Sequence, residues 1–212
     1  MVNPKQIEAV RQGLRSAYQS YDEAFTPYRS QAACRSGCAY CCTHYGRVDI
    51  TTQEGWRIAE WLRDRPNVLK QRLNRRLAVN LKAQIHGEAS DCPFLDKRHQ
   101  CRIYRLRPFS CRQLYSVRQC GPEPPVMHRS MVALARITVQ EIQRLDPKGY
   151  SGHISAVLHL LAQRRFRKQY LAGEFAPQEI REFGRTHGLV VNCVVSPPLS
   201  SSAPATANRH DT

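Results

Sequence analysis

The chain has 212 residues, 42% of them apolar, with 32 Lys plus Arg against 17 Asp plus Glu and a formal net charge of +15. That length can bury a real core as one domain, or one domain plus a small appendage, so size alone does not demand covalent staples. No run approaches the roughly 18 apolar residues of a membrane span, and Met1-Val2-Asn3-Pro4-Lys5-Gln6 lacks the apolar stretch of a secretory signal. The expected location is therefore cytoplasmic, where thiols stay reduced. The charge favours negatively charged partners: nucleic acid, an anionic membrane face or an acidic protein. A plain basic surface explains it about as well.

The chain opens with Ile7, Val10, Leu14 and Tyr18 on a helical stripe over residues 4–29, with Asn3 as N-cap, Pro4 at the first helical position and Pro27 as the stop. Cys34, Cys38, Cys41 and Cys42 follow within nine residues, flanked by Gly37 and Gly46, which suit a backbone that turns tightly round an ion. Arg47 to Ile50 reads as a strand or loop. Thr51 and Glu54 have the spacing of a capping box, opening a helix with Trp56, Ala59 and Leu62 on one face and Ile58 beside it. Pro66 separates it from a second helix carrying Leu69, Leu73, Leu77, Leu81 and Ile85. Lys70, Arg72, Arg75, Arg76 and Lys82 read as its solvated side, with a phosphate-facing surface as the lesser reading.

Gly87 to Ser90 breaks that helix. Residues 91–125 form a proline-rich loop with a short strand or turn at Arg102-Ile103-Tyr104, and they hold Cys92, Cys101, Cys111 and Cys120. Helices return at Met131, Leu134, Ile137 and Ile142, ending near Pro147. Another carries Ile154, Val157, Leu158 and Leu161, opened by Ser151. A short one runs from Pro177 through Ile180 and Phe183 to Gly188. A strand-like run then leads to Cys193, whose default is a buried free thiol. From Ser196 onward the Ser, Pro and Ala content predicts disorder. The fold class is mainly α: a small helical domain with a loop-rich, eight-cysteine metal-binding core and a disordered C-terminal tail. The expected divisions are 1–125 for the first helix plus the cysteine cluster, 126–193 for a helical extension and 194–212 for the tail.

Eight clustered thiols in a reducing compartment point to metal rather than to disulfides. Thiolates suit zinc, copper(I) and iron–sulfur centres. Adjacent residues usually point in different directions, so Cys41 and Cys42 do not readily share one ion with Cys34 and Cys38. The first quartet is expected to share ligands with the second, as two interleaved sites or one multinuclear cluster. Cys92 and Cys101 then supply the missing corners, and Cys111 and Cys120 complete the set. Eight thiolates around two divalent ions leave roughly four negative charges. Lys97, Arg98, Arg102, Arg105, Arg107, Arg112 and Arg118 lie where some of them can offset that charge and lower thiol pKa values. His44 and His99 lie close enough in sequence to replace a thiol, although an imidazole facing solvent is the ordinary reading of each.

Cys34-x3-Cys38-x2-Cys41-Cys42, followed by Cys92-Pro93-Phe94-Leu95, Cys101-Arg102-Ile103-Tyr104, Arg107-Pro108 and Cys111-Arg112, resembles the zinc- or iron-chelating domain whose members are called YkgJ-type cysteine cluster proteins. The resemblance covers about residues 34–120. It implies metal binding by the eight cysteines, with zinc or iron (including an iron–sulfur cluster) as cofactor, and implies little about activity. Such a domain also occurs in flagellin lysine N-methylases, so a metal-dependent enzyme, such as a protein methyltransferase, is one alternative. A second is an S-adenosylmethionine-using iron–sulfur enzyme, since Cys34, Cys38 and Cys41 fit that signature. Against it, no strand–helix alternation follows, and the extra thiols block the open iron it needs. A third is nucleic-acid binding, with Tyr104, Phe109 and Tyr115 stacking bases beside the basic stretch.

Overall fold

The computed structural model describes residues 4–35, 37–44, 47–121, 123–174 and 181–192. The readings made at Asn3, Gly46, Pro177, Ile180, Cys193 and the tail from Ser196 lie outside them. The architecture is mainly helical. Helix α1 (Pro4–Phe25) runs into a 3-10 turn over Thr26–Gln31. Short α2 (Tyr40–His44) carries Cys41 and Cys42, and β1 is Asp49–Thr51. Then come α3 (Thr52–Arg63), α4 (Asn67–His86) and the four-residue α5 (Phe109–Arg112). Helix α6 (Arg129–Leu145), β2 (Tyr150–His153), α7 (Ile154–Ala162), α8 (Arg164–Ala172), α9 (Arg181–His187) and β3 (Val190–Val191) complete the order.

The three strands make one small antiparallel sheet in the order β1-β2-β3, with Ile50 opposite Gly152 and Ser151 opposite Val190. Ser151 is thus a strand residue, not the helix opener expected of it. The helical stripe of α6 is also rotated from its expected position. Met131, Ala135, Thr138 and Ile142 are buried, whereas Ile137 is 52% exposed. Helices α3 and α4 follow the sequence closely. Thr51 and Glu54 form the reciprocal capping box, and Gly87 ends α4 in the left-handed conformation with φ 69°.

Two apolar clusters hold the chain together. One joins α3, α4, α7 and the sheet through Ile58, Leu73, Tyr150, Val157 and Leu160. The other joins α1 and α6 through Leu14, Tyr18, Tyr21, Met131 and Ile142. The cysteine-bearing loop lies between them and is pinned to both. Phe94 and Ile103 are buried in the first cluster, Phe109 and Tyr115 in the second. Burying a large apolar side chain contributes about 1.5–3 kcal/mol, so these four anchors order a segment that has little secondary structure. Two of the three aromatics considered for base stacking are therefore core residues. Only Tyr104, 61% exposed, remains at the surface, with the Arg107 guanidinium 3.9 Å from its ring centre.

Candidate metal centre

The two cysteine quartets meet through the backbone: the Cys92 N–H donates to the Cys42 carbonyl at 2.7 Å. Gly37 turns the first quartet at φ 85°, where a side chain carries strain, and α2 then brings Cys41 and Cys42 inward. Cys92 opens the second quartet beneath α4. There Arg76 donates to the carbonyls of Leu95 and Cys92, the latter at 3.0 Å, and Asn80 Nδ2 donates to the Asp91 carbonyl at 3.3 Å. Cys101 follows a tight hairpin closed by a bridge between Leu95 and Cys101. Cys111 sits on α5.

The placement of α5 depends on Glu54. This carboxylate is 5% exposed. Its Oε1 accepts from the Tyr18 hydroxyl at 2.5 Å and the Phe109 N–H at 2.7 Å. Its Oε2 accepts from the Thr51 N–H at 2.7 Å and the Thr51 hydroxyl at 3.0 Å. A helix-capping residue thus also holds the first N–H of the helix that bears Cys111. Ser110, one residue before that thiol, donates to the Asp49 carbonyl of β1.

The thiols fall into two groups. Cys41, Cys42 and Cys92 lie close enough for each to act on the ionisation of the next. Cys101 and Cys111 lie close enough to Cys41 to feel its charge, and Cys111 also feels Cys42 and Cys101. The second group is Cys34, Cys38 and Cys120, which line one cleft of about 340 Å³ together with His99 and Arg118. Cys34 and Cys38 are exposed, and the other six are half-buried. The last two cysteines of the second quartet therefore part company: Cys111 joins the inner group, and Cys120 joins the first two cysteines of the chain.

The thiol pKa values record this crowding. The neighbouring Cys42 thiol and then burial raise Cys41 well above the thiol range. For Cys42 the neighbouring Cys41 acts downward, but Cys92, burial and the charge of Cys101 outweigh it, pushing it up to about 12. Burial first, then the charges of Cys42, Cys101 and Cys41, raises Cys111. Burial also raises Cys101 and Cys34. Arg107 opposes the rise at Cys101 and Cys111. Other cations of the basic stretch are engaged elsewhere: Arg112 pairs with Asp22 at 3.2 Å, and Arg118 with Glu123 at 2.5 Å.

Among the described residues, no three His, Cys, Asp or Glu side chains are gathered into an arrangement that could hold a metal ion as they stand. Enclosing an ion therefore takes side-chain rotation, and thiols bind only after proton loss. The donor set nevertheless fits a soft cation. Several thiols share one half-buried space, and their mutual repulsion on ionising is what a bound cation offsets. The two nearby histidines differ. His44 stacks on Tyr40, with ring centres 4.0 Å apart, and its Nδ1 meets Thr43 Oγ1 at 2.8 Å. His99 lines the cleft of Cys34, Cys38 and Cys120.

Arg76 and Glu54 were not legible as site residues. Arg76 reads as solvated, yet it fastens the Cys92 turn. The available signal was its place between Leu73, Leu77 and Asn80, all buried on one face of α4. Tyr40 is a third: its hydroxyl donates to the Gly121 carbonyl and ties α2 to the residue after Cys120.

Residues 33–146, just over half of the chain, match the family described as "Putative zinc- or iron-chelating domain", CxxCxxCC. The chain belongs to this family. The matched span begins one residue before Cys34, includes all eight clustered cysteines, and runs to the end of α6. No curated protein and no solved structure matches the chain. Family membership therefore speaks to zinc or iron chelation and to no activity beyond it. Among the described residues, no helix is long and apolar enough to cross a membrane.

Proposed function

We propose that this is a metal-binding protein whose ligands are the thiolates of Cys34, Cys38, Cys41, Cys42, Cys92, Cys101, Cys111 and Cys120, holding zinc or iron. The observation that carries the reading is that the two quartets converge: the Cys92 N–H donates to the Cys42 carbonyl at 2.7 Å, and Cys92, Cys101 and Cys111 pack against one apolar cluster. Thiols gathered at one place are the donor type that zinc and iron centres use. When bound, zinc supplies a closed structural crosslink, and iron or an iron–sulfur cluster supplies an electron-transfer couple.

The chain's own residues do the rest. Arg107 offsets thiolate charge from one side. Arg76 fixes the Cys92 turn, and Glu54 fixes the start of α5. Phe94 and Ile103 belong to the apolar cluster against which Cys92, Cys101 and Cys111 pack. The thiols must lose their protons to bind, so loading releases protons and weakens in acid. A reducing compartment such as the cytoplasm suits this chemistry.

The test is anaerobic purification with metal analysis and an absorption spectrum, run on wild type, Cys38→Ser and Cys101→Ser. Both substitutions should lower metal content, and Cys101→Ser should also lower solubility because binding energy is folding energy here. Full metal content in both variants would remove the assignment.

A further inference from the structure

We propose that a cleft between α3, α4 and α7 binds a single-chain amphiphilic anion, a free medium-chain carboxylate, with its head at a mouth of three cations and its tail along an apolar floor. This stands apart from the metal-binding reading. No cysteine lines the cleft, and α7 and α8, which build part of it, lie beyond residues 33–146. The cleft encloses about 380 Å³, within the range of about 300–1,000 Å³ usual for small-ligand sites.

Small side chains leave the room. Each of the three helices contributes an alanine to the lining: Ala59 from α3, Ala78 from α4 and Ala162 from α7. The floor between them is leucine, with Leu77, Leu81, Leu158 and Leu161 all buried. Lys70, Asn74, Leu77, Ala78 and Leu81 recur at helical spacing and share one face of α4. The cleft therefore follows that helix for about 16 Å at the usual rise per residue.

The two ends of the cleft differ in kind. Helices α3 and α7 both start from the sheet, at Thr52 and Ile154, and the Ser155 hydroxyl donates to Asn80 Oδ1 at 2.6 Å. The late part of α4 thus lies beside the start of α7, and the Ser155 hydroxyl at that end is already paired. The opposite end is where α3 stops, α4 starts and α8 follows α7. Arg63, Lys70 and Arg167 line the cleft there, and no Asp or Glu lines it anywhere. Lys70 Nζ donates to the Arg63 carbonyl at 3.2 Å, which holds it at the mouth. The ion pair of Arg63 with Asp64, at 3.4 Å, is exposed on both sides and therefore weak. A neutral apolar ligand would not use the three cations, and a compact inorganic anion would leave the leucines in water. A chain with a carboxylate at one end meets both, and guanidinium groups suit a carboxylate by geometry as well as charge.

The experiment titrates the full chain, as purified, with decanoate by isothermal titration calorimetry. Decanol and decylamine carry the same chain with a neutral and a positive head, and all three are kept below the concentration at which they aggregate. Decanoate should saturate at one per chain. Decanol should bind about tenfold more weakly, because it lacks the charge-assisted bonds. Lys70→Gln and Arg167→Gln should each weaken decanoate about threefold and leave decanol unchanged. Ala78→Phe fills the cleft and should abolish binding of both; Ala78 is exposed, so the fold tolerates the change, which circular dichroism checks. Decanol or decylamine binding as tightly as decanoate would overturn the proposal, and so would decanoate binding untouched by Ala78→Phe or by both cation variants. Binding to anionic vesicles with none to monomeric decanoate would also overturn it, assigning the basic mouth to a membrane surface instead.

Discussion

Replacing Glu54 with Gln acts where α1, α3 and the segment bearing Cys111 meet. Four donors converge on the carboxylate, two on each oxygen, at 2.5 to 3.0 Å. Tyr18 is held as a protonated donor, its pKa raised far above the phenol range by burial and then by the Glu54 charge. Gln puts an NH2 group where one oxygen stood. In one orientation that group faces the Phe109 N–H, and in the other it faces the Thr51 N–H. The hydroxyls of Tyr18 and Thr51 can turn to accept; a backbone N–H cannot. One buried donor is therefore stranded, at about 1–3 kcal/mol, and the remaining bonds weaken because their acceptor is neutral. The expected loss is about 3 kcal/mol, a large share of the roughly 5–15 kcal/mol that holds a domain folded. The assay is urea unfolding of wild type and Glu54→Gln side by side, at equal saturating zinc, followed by far-ultraviolet circular dichroism. A change smaller than about 0.5 kcal/mol, the scale of an ordinary surface substitution, would refute the idea that this carboxylate joins the three elements.

Three further outcomes follow from the same structure. Asp146 accepts from the Tyr170 hydroxyl at 2.7 Å, and burial lifts its pKa to about 6 from an ordinary 3.8, against the lowering effect of that bond. Folding thus favours its protonated form: the contribution is complete below pH 3.8 and is lost as pH rises through about 6. The gap is worth about 3 kcal/mol, so the stability of Asp146→Asn relative to wild type should improve by that order between pH 4 and pH 7; a pH-independent difference would count against it. Arg76→Ala should speed chelator-driven metal release several-fold, because the carbonyls of Cys92 and Leu95 lose their donor; an unchanged release rate would show that the Cys92 turn holds itself. At Gly55 an added β-carbon lies 2.8 Å from Val157 Cγ1 and 3.1 Å from Leu161 Cδ1. Gly55→Ala should therefore lower the unfolding midpoint despite the better helix propensity of Ala, at a cost of about 1–3 kcal/mol from overpacking; a stabilised variant would mean that α3 and α7 can part freely.

What the sequence discloses is mostly what is local. The capping box at Thr51 and Glu54 and the stop of α4 at Gly87 depend on neighbours within a few residues, and the structure has them as expected; of the α4 stripe, Leu73, Leu77 and Leu81 are buried while Ile85 is exposed. Strand β2 was hidden because all four of its residues, Tyr150 to His153, are buried and show no alternation, and its partner β1 lies about a hundred residues away. Arg76 was hidden because a long cationic side chain on a helix usually reaches water, and the carbonyls it serves belong to a later loop. Of the candidate site, the eight cysteines were legible from spacing. The separation of Cys120 from Cys111 was not, since it depends on Tyr40 holding Gly121 and on the Ala33–Ser116 contact. The difference between His44 and His99 was equally invisible: one stacks on Tyr40, and the other sits on a hairpin tip that Asp96 shapes.

The most direct measurement of the central claim counts reactive thiols on the folded, metal-loaded chain before and after a chelator strips it, by alkylation and mass spectrometry of the peptides. Thiolate ligation predicts that Cys34, Cys38, Cys41, Cys42, Cys92, Cys101, Cys111 and Cys120 are protected when loaded and become reactive as metal leaves. Equal labelling of these eight with and without chelator, on protein that carries metal, would contradict it.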